Sequence, residues 1–240
     1  MLTDEQARES LVVALDLDRG DALELADKLR GKARWVKVGM TLFYAEGPSI
    51  VHEMRERGLK VFLDLKLHDI PFQVRGAARA ASLAGADILS IHAMGSADMV
   101  AQARAGVEDA AQVRGGRARL VAISVLTSMD QDSLAEIGVC GTVAEEVSRL
   151  AGLSVRAGSD GVVCSPQEAS AMRALLGEGA LIVTPGIRPK GASVGDQKRI
   201  APPSAAIAAG ATKLVVGRPI TQATDPVRAF EALVGELLGA

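Results

Sequence analysis

Two charged side chains, Asp64 and Lys66, stand two residues apart in the otherwise apolar run Val61-Phe-Leu-Asp-Leu-Lys-Leu. Side chains two apart on a β-strand point to the same side of the sheet, so the run predicts a carboxylate beside an ammonium. An ordinary surface pair is the alternative. We favour a pair that faces the interior, because the end of an apolar strand is a costly place for charge. Aspartate and lysine are both residue types that move protons in enzymes.

Polar residues also stand at the ends of other apolar runs. By the same alternation Asp16 ends the first run facing inward, and Lys37 lies near the end of the second. Four charges of alternating sign would then surround one small volume. The remaining polar positions at or just after the ends of such runs are Asp69, Thr127, Ser128, Ser165, Arg188, Gln197, Gly217 and Arg218.

The elements that must position these residues alternate along the chain. Short runs rich in Val, Ile and Leu predict strands at 11–16, 35–39, 60–66, 87–92, 120–125, 161–164, 181–184 and 213–217. Segments of helical period predict helices at 22–29, 48–57, 74–84, 98–112, 143–157, 166–175, 204–209 and 226–237. About eight β/α pairs in 240 residues favour an α/β protein with a single (β/α)₈ TIM barrel as one domain, residues 1–240, in which active sites lie at the strands' C-terminal ends. A doubly wound open sheet is the alternative fold.

Composition narrows the class of partner. The formal net charge is -2 and the pI is near 6.0, so we expect no broad cationic surface for nucleic acid or anionic membranes, and a small molecule as partner. Cys140 and Cys164 stand in apolar contexts that suggest buried thiols rather than a disulfide framework. The polar start of the chain and the lack of an apolar run of about 18 residues suggest a cytoplasmic protein without a membrane span.

The motif Asp64-x-Lys66-x-x-Asp69-Ile70-Pro71 resembles the orotidine 5'-phosphate decarboxylase family, and the resemblance covers nearly the whole chain. Any one supporting motif would be weak, but five stand in the expected order. They are Ala-Leu-Asp at 14–16, Val-Lys-Val-Gly at 36–39, Val-Leu-Thr-Ser at 125–128, Thr-Pro-Gly-Ile-Arg-Pro at 184–189 and Val-Gly-Arg-Pro-Ile at 216–220.

The resemblance implies decarboxylation of orotidine 5'-phosphate to uridine 5'-phosphate in de novo pyrimidine nucleotide biosynthesis, with no metal and no other cofactor. Lys66 would stabilise the carbanion at C6 of the pyrimidine and protonate it. Asp64 would lie close to the departing carboxylate and keep Lys66 cationic. Lys37 and Asp16 would link the charged groups and bind the ribose hydroxyls.

The resemblance also implies the remaining contacts. Asp69 would reach the neighbouring subunit's site in a homodimer, and Thr127 would bind the pyrimidine edge. The other substrate-binding positions that it implies are Ile70, Pro71, Gln73, Arg188, Gln197, Gly217 and Arg218, the last four towards the phosphate. Relatives commonly have Asn-Thr where this chain has Phe72-Gln73, which leaves that cross-dimer contact open.

Other residues carry less specific signals. We expect His52, His68 and His92 to be structural, and Ser165 to cap the helix that follows it. Two further functions stay open: a magnesium-dependent sugar-phosphate lyase of the same barrel group, which would have a Glu metal ligand in place of Lys37, and a non-catalytic binder of phosphate ligands.

Overall fold

Eight parallel strands close into a barrel in the order of the sequence, in a computed structural model that describes residues 2–189 and 199–239. They are β1 (Leu11–Ala14), β2 (Trp35–Gly39), β3 (Lys60–Leu67), β4 (Ile88–His92), β5 (Arg119–Ile123), β6 (Gly161–Val163), β7 (Leu181–Thr184) and β8 (Lys213–Val216). Pairing of β1 with β8 closes the sheet. The predicted (β/α)₈ TIM barrel is confirmed and the open doubly wound sheet is wrong.

Helices follow the strands, apart from one that precedes β1, and form the outer layer. They are α1 (Asp4–Ser10), α2 (Arg19–Leu29), α3 (Met40–Glu46), α4 (Ser49–Glu56), α5 (Pro71–Leu83), α6 (Ser96–Arg114), α7 (Gln131–Glu136), α8 (Val143–Arg156), α9 (Ala169–Leu176), α10 (Pro203–Ala208), α11 (Arg218–Thr221) and α12 (Pro226–Leu238), with a 3₁₀ turn at Ala93–Gly95. Gly85 and Gly158 follow α5 and α8 with φ of 111° and 113°, the left-handed conformation that ends a helix at glycine.

The apolar core has two parts. One part packs the helices against the outside of the barrel, and the other fills the inside. The inner part includes Val12, Phe62, Val121, Val163 and Val215, which alternate along their strands with residues of the outer part. Strands buried on both faces read as continuous apolar runs, which is why they were visible in the sequence.

The N-terminal end of the barrel is filled by charged and aromatic side chains that we call the base layer: Glu9, Trp35, Lys60 and Lys213. Trp35 Nε1 donates to Glu9 Oε1 at 2.7 Å, and Lys213 Nζ donates to the same oxygen at 2.9 Å. Lys213 Nζ also lies 4.2 Å from the centre of the Trp35 ring. Burial lowers the pKa of Lys213 to about 8, although its bond to Glu9 acts in the opposite direction.

Two sequence expectations are wrong in detail. Cys140 is exposed, whereas Cys164 is buried as expected and burial raises the pKa of its thiol. Ser165 does not cap α9, because that helix begins at Ala169 and the buried Ser165 hydroxyl has no hydrogen-bond partner among the residues that the structure describes. Within the described ranges, every helix is too short or too polar to cross a bilayer.

Candidate active site

Four charged side chains meet at the C-terminal end of the barrel, as the sequence predicted. Lys37 Nζ donates to Asp16 Oδ1 at 2.8 Å and lies 3.8 Å from Asp64 Oδ2. Lys66 Nζ donates to that same Asp64 oxygen at 2.8 Å. Lys37 and Asp64 are buried, whereas Asp16 is exposed. The result is a series of alternating charges, Asp16, Lys37, Asp64 and Lys66, with its two buried members in the middle, which we call the charged array.

The register of the first three strands brings the charged array together. Ala14 of β1 pairs with Lys37 of β2, and Gly39 of β2 pairs with Asp64 of β3. Gly39 has ordinary extended backbone, with φ of -90° and ψ of 180°. A Cβ atom there would lie 3.0 Å from both Asp16 Oδ1 and Lys37 Nζ. The missing side chain therefore leaves the space that the Lys37–Asp16 contact occupies.

A cavity of about 660 Å³ opens above the charged array. Part of its wall is apolar and includes Phe62, Ile123, Val163 and Val215, while polar groups line the rest. Ligand sites commonly combine an apolar wall with a few polar groups that fix the ligand's orientation. The lining also contains these predicted site residues: Asp16, Lys37, Asp64, Lys66, Thr127, Arg188, Gly217 and Arg218.

Two arginines line one side of this cavity after the last two strands. Arg188 is buried and donates through Nη1 to the Ile187 carbonyl at 2.8 Å. Burial lowers the pKa of Arg188, and the nearby positive charge of Arg218 adds to that effect. Two guanidinium groups that line the same cavity form a site suited to an anion. Gln197 lies outside the described residues.

The segment after β3 does not join the cavity of its own chain. Asp69, Ile70, Pro71 and Gln73 are absent from its lining. Asp69 is exposed and accepts a hydrogen bond from the Ile70 backbone N–H at 2.6 Å. These four predicted substrate-binding residues are therefore not brought to the charged array within one chain.

The comparisons with known proteins agree with this geometry. The sequence profile described as Orotidine 5'-phosphate decarboxylase / HUMPS family matches residues 9–233. The chain is 49% identical over 234 residues to the orotidine 5'-phosphate decarboxylase of Synechococcus sp. (strain WH7803), with 96% of each chain covered. It is also 49% identical to that of Halorhodospira halophila, with 96% of each chain covered.

The chain belongs to the orotidine 5'-phosphate decarboxylase / HUMPS family. A solved structure of the orotidine 5'-phosphate decarboxylase from Lactobacillus acidophilus matches the fold with a TM-score of 0.86 at 36% identity, covering 95% of this chain and 99% of that one. The family resemblance expected from the sequence motifs is thereby confirmed.

Sequence reasoning missed two residues that touch the charged array of this family member. The motif Val-Lys-Val-Gly contains Gly39 but gives it no role of its own, and Ser90 belongs to none of the motifs. Ser90 Oγ donates to Asp64 Oδ1 at 2.8 Å. The signal for Ser90 was present, because it is a polar residue in the middle of the apolar strand Ile88-Leu-Ser-Ile-His92.

Two histidines beside the array pack against each other. The rings of His68 and His92 are stacked, with centroids 5.1 Å apart. Burial, helped by His68 and Lys66, lowers the pKa of His92 to about 4. Nδ1 of His92 accepts a hydrogen bond from the Met94 backbone N–H at 3.4 Å. A neutral His92 that accepts a backbone bond fits the structural role expected for it.

Proposed function

We propose that this chain converts orotidine 5'-phosphate to uridine 5'-phosphate without a metal ion, as a step of de novo pyrimidine nucleotide biosynthesis. The observation that carries the proposal is the charged array at the floor of the cavity. Its two ammonium groups and two carboxylates alternate within hydrogen-bonding or ion-pair distance. The decarboxylase relatives indicate the reaction, and the charged array provides the charged groups that this reaction needs.

Lys66 is the proposed acid. When the bond between C6 and the carboxylate carbon breaks, carbon dioxide leaves and the electron pair stays on C6. The ammonium of Lys66 stabilises that charge and then donates a proton to C6, which leaves Lys66 as the neutral amine. Asp64, 2.8 Å from Lys66 Nζ, holds the ammonium in place and repels the substrate carboxylate.

Lys37 supports the metal-free chemistry. Its ammonium lies between the carboxylates of Asp16 and Asp64, at 2.8 and 3.8 Å. A divalent cation placed between the same two carboxylates would meet that positive charge at close range, which is unfavourable. This placement disfavours the magnesium-dependent sugar-phosphate lyase.

We assign the phosphate to Arg188, Gly217 and Arg218, with Gln197 as a further contact, and the pyrimidine edge to Thr127. Arg188 is supported by its burial at the cavity wall, since a buried guanidinium gains most from an anionic partner. The phosphate is remote from the bond that breaks. Its binding energy can still assist the chemical step by holding the substrate against the charged array.

We also propose that the chain acts as a cytoplasmic homodimer, with residues 1–240 as one domain. Large apolar side chains are exposed after β2, β3 and β4: Met40, Tyr44, Ile70, Phe72 and Met94, with Phe72 exposed to 80%. An exposed apolar group of this kind is typical of a protein interface. It lies next to Asp69, so a partner docked there would receive Asp69, Ile70, Pro71 and Gln73 at its own site.

The reaction is tested by following the ultraviolet absorbance of orotidine 5'-phosphate, with and without EDTA. We expect turnover that EDTA does not change and that Lys66→Ala lowers by at least about 1,000-fold. Lys28→Ala is the matched control, because Lys28 is an exposed lysine of α2 that pairs only with Glu24 among the ion pairs described. Loss of activity with EDTA and its return with magnesium would favour the lyase, and no turnover at all would favour the phosphate-ligand binder.

The shared site is tested with two inactive variants, Asp69→Ala and Lys66→Ala, dissociated together and allowed to reassociate. In a hybrid dimer one site keeps its own Lys66 and receives an intact Asp69 from the partner. Random pairing then restores roughly one quarter of parental activity. If mass analysis shows hybrids and the mixture stays inactive, Asp69 acts within its own chain.

A further inference from the structure

Strand β3 departs from regular pairing at the residues of the charged array. Leu63 pairs with Leu89 of β4 and Leu67 pairs with Ile91, so four steps along β3 match two along β4. Lys66 lies inside this bulge with a φ of 52°. A left-handed backbone is uncommon for a residue with a side chain and persists only where its surroundings hold it. The proposed acid therefore depends on contacts that keep its backbone in place.

Ser90 of β4 supplies two such contacts with one hydroxyl. Its Oγ accepts a hydrogen bond from the Lys66 backbone N–H at 2.8 Å and donates one to Asp64 Oδ1 at 2.8 Å. The bulge removes Lys66 from the regular ladder, and the serine oxygen takes the place of a backbone carbonyl. Ser90 is fully buried, so no solvent molecule can replace either bond without a rearrangement.

The second bond fixes the orientation of the Asp64 carboxylate. With Oδ1 held by Ser90, the other oxygen, Oδ2, faces the two ammonium groups, at 2.8 Å from Lys66 Nζ and 3.8 Å from Lys37 Nζ. Ser90 therefore sets the position of both members of the Asp64–Lys66 pair, through the backbone of one and the side chain of the other.

We infer that Ser90 is a positioning residue for the decarboxylation, a role that rests on the proposed function. It does not line the cavity, so it acts through Asp64 and Lys66 and not on the substrate. Misplacement of reacting groups by a fraction of an ångström weakens the chemical step far more than ground-state binding. The defect of a Ser90 variant must accordingly appear in kcat while KM stays close to the parent.

The test compares kcat and KM of the parent with Ser90→Ala, Ser90→Thr and Ser154→Ala. Ser90→Thr keeps a hydroxyl on a residue type that suits a strand. Ser154→Ala is the matched control, because Ser154 is equally buried and its hydroxyl, among the described residues, bonds only to the Ala151 carbonyl within α8, at 3.0 Å. Thermal unfolding of all four proteins shows how much each change affects the fold.

We expect Ser90→Ala to lower kcat by about 10- to 100-fold, the loss of one to two hydrogen bonds to a charged pair, with KM changed less than about threefold. Ser90→Thr should recover most of that loss, and Ser154→Ala should keep parental kcat at a comparable loss of thermal stability. Equal kcat in Ser90→Ala and Ser154→Ala would overturn the positioning role. If Ser90→Ala does not fold, Ser90→Cys, which keeps the size but bonds weakly, is judged by the same ratio. An inactive parent would instead contradict the proposed function itself.

Discussion

Gly39→Ala tests whether the charged array needs the space that a missing side chain leaves. The glycine has φ of -90° and ψ of 180°, which alanine adopts without strain, so the change acts through the added methyl group alone. That methyl carbon would lie 3.0 Å from Lys37 Nζ and from Asp16 Oδ1. Contacts of this length must open by a few tenths of an ångström. The Lys37–Asp16 bond, 2.8 Å in the parent, is then displaced from its best length and angle.

The expected loss follows from that one bond. A hydrogen bond between charged groups contributes about 1.5 kcal/mol at the lower end of its range, which corresponds to roughly tenfold in kcat/KM. The free energy of unfolding should change by less than about 1 kcal/mol, since alanine also restricts the unfolded chain. The assay is the ultraviolet decarboxylation assay combined with urea unfolding.

Gly235→Ala is the matched control for this prediction. Gly235 lies in α12, and a Cβ atom there would meet nothing within 4 Å. We expect parental kcat/KM and a stability gain of up to about 1 kcal/mol, because alanine is the better helix former. If Gly39→Ala retained kcat/KM within twofold of the parent, the steric reasoning would be refuted.

Three other predictions concern groups at different depths of the barrel. Arg218→Ala should lower kcat/KM for orotidine 5'-phosphate by about 10- to 100-fold and leave turnover of the phosphate-free nucleoside unchanged; an equal effect on both substrates would exclude Arg218 from the phosphate site. The free energy of unfolding should fall by up to about 2 kcal/mol between pH 7 and pH 5. The pKa of His92 is lowered to about 4 in the folded chain, so over this range the unfolded chain binds a proton that the folded chain does not. Urea midpoints should show this loss in the parent and a smaller one in His92→Asn, and equal losses would contradict it. Emission of Trp35, the single tryptophan, should show an inflection near pH 8 as Lys213, 4.2 Å from the ring, loses its proton; an inflection that persists in Lys213→Met would belong to another group.

Local sequence patterns were sufficient for the barrel because its strands are buried on both faces. Continuous apolar runs such as 11–16 and 213–217 are easily distinguished from the more polar sequence around them. Because each run is followed by a helix, their order along the chain gives the order of strands in the barrel. The short helices were not predicted, because a helical period needs more residues than they contain. α1 has only seven residues, too few to show a period, although Thr3 and Gln6 form a capping box that could have revealed it.

The charged array was predicted for a reason that is only partly right. Alternation placed Asp64 and Lys66 on the same side, yet the strand bulges between Leu63 and Leu67 and Lys66 adopts a left-handed backbone. A bulge depends on the neighbouring strand, so the run 60–67 alone could not show it. The prediction that Cys140 is buried was wrong for a similar reason. Its apolar neighbours in sequence do not surround it in space, and its thiol is exposed.

The apolar filling of the barrel also fixes how the site exchanges protons with water. Below the charged array lie Phe62, Ile123, Val163 and Val215. Below them, the base layer around Trp35 fills the N-terminal end of the barrel. With Lys66 as the acid, each turnover leaves an amine that must be protonated again before the next substrate. In the proposed mechanism, that proton and the departing nucleotide share the cavity above the charged array. In that mechanism the enzyme is therefore recharged from the cavity side, after one nucleotide leaves and before the next one binds.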